Sequence, residues 1–232
     1  MKTDSIQYRS FDRDGWKVIY ASLLTGVLAF FLLFIGKATN EAASVYKFSD
    51  NLTALIGHQL MEQKQFQHAD WLYIENTGTK GIKILIPSIV KNQPFFNSAS
   101  DQINPNFYPY LAQLTSIIVN TDLPDIEDKY KDNINQIKSY GYRIETDIRI
   151  EGHSDQQPIK TVRFSDNWDL STARAYQVMK YIKDRTNLPE EIFSIAGYGS
   201  FHPLHHVKDW NENRRVELYI KINMISENMS SL

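Results

Sequence analysis

The sequence predicts an α/β sandwich, one sheet covered by helices, preceded by a single N-terminal transmembrane helix. Three observations carry this. Strand-like alternation and helix-like periodicity interleave between Gly81 and Ile222, the pattern of a sheet layered with helices. The run from Val18 to Ile35 holds no charged side chain. The 232 residues suffice for one domain of ordinary size plus an appendage. Lys and Arg number 25 against 27 Asp and Glu, a net charge of -2, so the basic excess that nucleic-acid binding draws on is missing and no such partner is expected. There is no cysteine. That removes disulfides, Cys-ligated zinc, thiol catalysis and lipid attachment through a thiol, so any membrane attachment is peptide.

The elements follow in order. Val18 to Ile35 spans about 27 Å as a helix, close to the hydrocarbon core of a bilayer. The run is longer than a signal-peptide core and its leader mixes Asp4, Asp12 and Asp14 with basic residues, which favours an uncleaved anchor. Lys2, Arg9, Arg13 and Lys17 precede the run and only Lys37 and Lys47 follow it closely, a bias that places the N-terminus in the cytoplasm. Val18, Ser22, Thr25 and Ala29 share one stripe of this helix. Such a stripe packs on partner helices, or its hydroxyls bond their own i-4 carbonyls. From Glu41 to Lys64, Val45, Phe48, Leu52 and Leu55 fall at 3-4 spacing, a seam too short to stand alone that pairs in a dimer or folds onto something else. Residues 63–80 read as a linker. Gly81 to Ile89 reads as a strand, Pro105 to Asn120 and Asp125 to Gly141 as helices, Arg143 to His153 as a strand. Asn167 to Thr186 reads as a helix capped by Asp166 or Asn167, then a short strand over 192–199 and a last one over Arg214 to Ile222.

The informative residues flank the second strand. Asp155 follows it, and Arg174 shares a helix face with Leu170, Val178 and Tyr181. An arginine in an apolar stripe needs an anion. Either it pairs with an acid such as Asp155 or Asp169, or Asp155 and Arg174 line one groove and hold a zwitterion, the carboxylate taking an ammonium and the guanidinium a carboxylate. Phe95 and Phe96 are expected in the core.

EGHSDQQPI, DNWDLSTARA, SIAGYGSFHPL and NENRRVELYIKI, in this order and spacing, resemble the peptidoglycan-binding domain of the OmpA/MotB family, and the DxxPI and NWxLS variants resemble its MotB stator branch. WKVIYASLLTGVLAFFLLFI is similar to the MotB helix in its Trp-Lys start, its Tyr-Ala step and its Phe-Phe pair. The resemblance covers about residues 15–36 and 80–223. It implies an OmpA C-terminal-like fold, with Asp155 and Arg174 binding the diaminopimelate of peptidoglycan stem peptides, and Asn213, Arg214 and Arg215 in the groove or its support. It places Leu170 and Ser171 in the scaffold, and Gly197 and Gly199 in the turn after the third strand. It further implies a homodimer with a MotA-like multi-span partner in the bacterial inner membrane, the C-terminal domain being periplasmic.

The divisions that result are a cytoplasmic tail (1–15), the transmembrane helix (16–36), an amphipathic plug or linker (37–78), the peptidoglycan-binding domain (79–223) and a C-terminal tail (224–232). Two departures stand out. MotB-type helices carry an ion-binding aspartate after Tyr-Ala, and this chain has Ser22, a hydroxyl that neither titrates near neutral pH nor replaces a carboxylate as a cation ligand. Ser22 and Thr25 thus mark the ion-pathway position, and either the partner supplies the acid, these hydroxyls join a cation site, or the unit does not conduct. The segment 122–146 is also longer than the usual connection. His202, His205 and His206 raise a metal hypothesis that the lack of accompanying carboxylates weighs against, so no metal or cofactor is expected. No nucleophile with a base stands out, and no enzyme is predicted. The reading is the B subunit of a MotA/MotB-like ion-driven stator. The alternatives are a passive tether between membrane and wall, or the B component of a non-flagellar system such as Zorya phage defence.

Overall fold

Helix α1 runs from Gly15 to Phe66. In this computed structural model, which describes residues 15–204 and 210–227, the chain divides into two compact units, Met1–Ser44 and Val45–Leu232. The first unit contains the stretch Gly15–Lys37, long and apolar enough to cross a membrane, with none of its most apolar window buried. Its large side chains, among them Leu23, Phe30 and Leu33, are exposed, the requirement for contact with lipid.

The second unit is one five-stranded sheet with helices packed on it. Its strands are β1 (Tyr73–Asn76), β2 (Ile82–Pro87), β5 (Tyr142–His153), β6 (Phe193–Gly197) and β7 (Arg215–Ser226), and β3 (Ile89–Val90) with β4 (Gln93–Pro94) forms a separate hairpin. The sheet order is β1-β2-β7-β5-β6, antiparallel throughout except for β5 beside β6. β2 alternates buried and half-buried positions, so Ile82, Ile84 and Ile86 enter the core together. Leu111, Leu114, Ile117 and Ile118 of α2 (Tyr108–Val119), and Ala175, Val178 and Ile182 of α5 (Asn167–Thr186), meet the sheet in the same cluster. Each of the leucine, isoleucine and valine side chains contributes about 1.5–3 kcal/mol by leaving water.

Three expectations are corrected. Residues 37–78 are not a separate plug and linker. α1 continues to Phe66, and from Val45 onward it belongs to the folded unit, where Leu52, Ile56 and Leu60 join the core. The buried face is therefore Val45, Ser49, Leu52, Ile56 and Leu60, while Leu55 of the expected seam is exposed. A Cβ at Gly57 would lie 2.4 Å from Cδ1 of Ile82, so glycine is what lets the helix close on β2. The stretch read as linker also holds β1, whose Tyr73 to Asn76 pair with Leu85 to Ile82. The helix expected over Asp125 to Gly141 is split into α3 (Ile126–Lys129) and α4 (Lys131–Ser139) at Tyr130, where the hydroxyl donates to Asp122 at 2.8 Å. β7 runs to Ser226, past the expected boundary at 223.

Candidate functional site

The site is assembled where β5 and β6 end and α5 begins. The Asp166 carboxylate accepts the N–H groups of Trp168 and Asp169 at 2.8 and 3.0 Å, which fixes the first turn of α5 and places Arg174 about two turns in. α5 lies hard against the strand ends. A Cβ at Gly152 would sit 2.0 Å from the Ser171 carbonyl oxygen, and one at Gly197 would sit 2.1 Å from Oγ1 of Thr172. Gly197 thus serves close approach rather than the turn expected of it, and the positive φ of the turn falls on Gly199 at +53°. The Ser171 hydroxyl accepts the Gly199 N–H at 3.0 Å, the scaffold role expected of that residue.

Beside these ends opens a cleft of about 280 Å³ whose lining includes Phe95, Phe96, His153, Arg174, Arg214 and Arg215. Arg174 is 8% exposed. Its Nε donates to the Ser100 carbonyl at 3.0 Å and its guanidinium lies 4.9 Å from the centre of the Phe96 ring. Burial first, and then the nearby Arg214, lower its pKa to about 10, opposed by Asp155 and Asp101. Of the two pairings considered for Arg174, neither forms. Asp155 is buried and faces Nε of Arg214 at 3.6 Å, while Asp169 accepts from the Ser165 N–H and hydroxyl. Asp155 also accepts the Gln157 N–H, and its carbonyl takes Nδ2 of Asn167 at 3.3 Å. The cleft is therefore a cationic surface, and Asp155 lies outside its lining, next to Arg214.

Asn213 is buried, and its Oδ1 accepts the Leu204 N–H at 2.7 Å; it holds the loop that follows β6 instead of presenting itself to the cleft. Phe95 stacks on Phe107 at 4.4 Å within the core. Phe96 is only half-buried and forms the floor under Arg174, a correction to the expectation that both phenylalanines fill the interior. Ser100 and Asp101 carried no motif. Asp101 is 1% exposed and binds Arg163 at 2.7 Å, which pins the loop whose carbonyl holds Arg174.

Behind the cleft wall lies a buried ionic layer. Arg149 Nε donates to Glu151 at 2.7 Å, Arg215 Nε to Glu217 at 2.5 Å, and the Tyr219 hydroxyl to Glu217 at 2.7 Å. Burial would raise the Glu217 pKa, but Arg215 and Tyr219 hold it below the ordinary carboxylate value. His153 Nε2 lies 3.9 and 4.0 Å from the two glutamates, and burial lowers its pKa to about 4, with Arg215 adding to the effect. Glu151, His153 and Glu217 are grouped closely enough for a metal, yet each carboxylate is already neutralised by an arginine, so the layer is balanced without an ion. His202 stacks edge-on with Tyr198 at 4.9 Å; His205 and His206 lie outside the described residues.

In the first unit, the Ser22 hydroxyl donates to the Val18 carbonyl and that of Thr25 to the Ala21 carbonyl, both at 2.8 Å. The local i-4 bonds expected of the stripe are formed. Ser22 and Thr25 line a shallow concave strip with Val18, Ala21, Gly26 and Ala29.

A mixed sheet layered with helices, with a cationic cleft at the end of its longest strands, defines an OmpA-type domain. The OmpA family model matches residues 95–217, and the chain belongs to that family. Within it the chain is MotB-like. It is 29% identical over 134 residues to Motility protein B of Bacillus subtilis (strain 168), a match covering 56% of this chain and 43% of that protein. It thus spans less than half the length of that relative. It is similar over nearly its whole length to uncharacterized protein YtxE of the same organism, 27% identical over 231 residues, 90% of this chain and 88% of that one. The crystal structure of a putative MotB like protein from Desulfovibrio vulgaris shares the fold, with a TM-score of 0.55 at 19% identity over 76% of this chain and 98% of that one.

Proposed function

We propose that the protein is the peptidoglycan-anchoring B subunit of a MotA/MotB-like complex. In this reading the segment Gly15–Lys37 crosses the bacterial inner membrane once from a cytoplasmic N-terminus, two copies pass through a multi-span partner, and the OmpA-type domain holds the cell wall in the periplasm. It is a binding protein that transmits force, not an enzyme, and it uses no cofactor.

The cleft is the observation that carries the anchoring role. Arg174, held from behind by Ser100 and Phe96, and Arg214 offer planar forks to a carboxylate. Asp155, outside the lining but 3.6 Å from Arg214, offers an oxygen to an ammonium group once Arg214 turns from it toward the ligand. A zwitterionic amino-acid end such as that of diaminopimelate satisfies both. The test is sedimentation of the full-length protein in detergent with purified sacculi. Arg174→Ala and Asp155→Ala are each expected to weaken binding about 10- to 100-fold, the worth of a charged hydrogen bond in a dry site. Binding equal to wild type in both variants overturns the assignment.

Ser22 supports a second reading, a tether that moves no ions. Its hydroxyl is spent on Val18, and a hydroxyl cannot carry a proton on and off near neutral pH. Co-purification with the products of neighbouring genes, followed by an ion-flux assay in liposomes, separates the two. Flux through a complex with a multi-span partner places the carboxylate in that partner, and a sealed complex favours the tether.

A further inference from the structure

The end of β5 away from the cleft carries a second concave surface, and we propose that it is a docking groove for an extended, basic polypeptide segment that adds to the sheet as a further strand. β5 has twelve residues, Tyr142–His153, and all of them pair with β7. β6 covers its other side only from Ile148 to Gly152. Tyr142 to Asp147 therefore form a sheet edge that is open on the side away from β7. Among the described residues, the backbone groups from Arg143 to Asp147 have no partner outside the β7 ladder. In an antiparallel pair every second residue directs its N–H and C=O away from its partner, so this edge presents donors and acceptors to whatever lies beside it.

The edge is flanked by a groove of about 620 Å³. Its apolar lining comes from Leu123, Ile126, Ile144, Leu188 and Ile192, supplied partly by the long segment 122–146 and partly by the approach to β6. Its charged lining is one-sided. Asp125, Glu127, Asp128, Glu145 and Glu191 stand against Arg143 alone among the lining residues, and Arg143 is already engaged by Glu145 at 3.1 Å. An open edge supplies main-chain hydrogen bonds, an apolar floor takes alternate side chains, and the acidic rim selects their charge. The occupant that fits all three is a strand alternating apolar with lysine or arginine residues. This surface is separate from the cleft, and the proposal stands or falls apart from the peptidoglycan reading.

The test uses full-length protein in nanodiscs and a capped octapeptide of alternating Lys and Val, titrated by fluorescence anisotropy. Saturable binding that weakens with added salt is expected. Methylating the amide nitrogens on one edge of the peptide keeps its charge but removes its donors, and is expected to cost about tenfold or more in affinity. The variant carrying Glu127→Lys and Glu191→Lys, both exposed positions, is expected to lose a similar factor with an unchanged thermal melt. Equal binding of the matching Glu and Val peptide, equal binding of the methylated peptide, or an unaffected double variant overturns the proposal. So does a chain that self-associates through this edge while ignoring the peptide.

Discussion

The two ends of β5 are opposites built on one strand. At His153 the strand delivers a small cleft walled by Arg174, Arg214 and Arg215 and backed by a buried layer of paired charges. At Arg143 to Thr146 it borders a wider groove with an apolar floor and an acidic rim. The first is backed by two arginine–glutamate pairs, Arg149 with Glu151 and Arg215 with Glu217. The second is open because β6 stops short. Recognition at the first end depends on charges fixed in place, and at the second on backbone left unpaired.

The largest effect is expected from breaking the layer behind the cleft. Arg215→Met leaves Glu217 buried with Tyr219 as its remaining partner, and urea unfolding of the variant is expected to show a loss of about 3–5 kcal/mol. Next comes acid. His153 titrates at about 4 in the folded chain against an ordinary 6.5, so between these values the unfolded chain takes up the proton and the folded one does not. Stability from this group is complete above about pH 6.5 and declines as pH falls toward 4, by on the order of 3 kcal/mol. His153→Gln is expected to flatten that part of the urea profile. The lowered Glu217 value adds its own loss as pH falls through its ordinary 4.5, so the upper part of the window reports His153. Asp166→Ala, which removes the α5 cap, is expected to lower stability by about 1 kcal/mol and to loosen sacculus binding through Arg174. The smallest effect sharpens the contrast between the two ends. Glu127→Lys alone is expected to change stability by less than about 0.5 kcal/mol and to leave sacculus binding as it was.

The cleft was legible in the sequence because its residues sit in short motifs at fixed offsets from a strand end and a helix cap. Arg174 and Arg214 line the cleft, Asp155 faces Arg214 beside it, and the cap falls on Asp166. What the sequence hid is long-range. Ser100 and Phe96 support Arg174 from more than seventy residues away in the chain, a separation no local period reports. The docking of α1 on β2 was hidden for another reason. Its buried face carries Ser49 and Thr53, polar residues that interrupt the apolar stripe, and the segment read as a seam too short to stand alone, followed by a linker. β1 was missed because its four residues are mostly exposed and so lack the alternation that marks a strand.

Those two hydroxyls have a consequence of their own. β2 begins at Ile82, opposite Ile220, so Ile222 on β7 has no strand beside it on that side. The Ser49 hydroxyl donates to the Ile222 carbonyl at 2.7 Å, and the Ile222 N–H donates to Oγ1 of Thr53 at 3.1 Å. A helix here completes a ladder that a strand left unfinished. The Ile222 amide is therefore an internal gauge: its hydrogen exchange is slow only while this part of α1 is seated, and undocking of the helix would register there as a single exchanging proton before the sheet itself gives way.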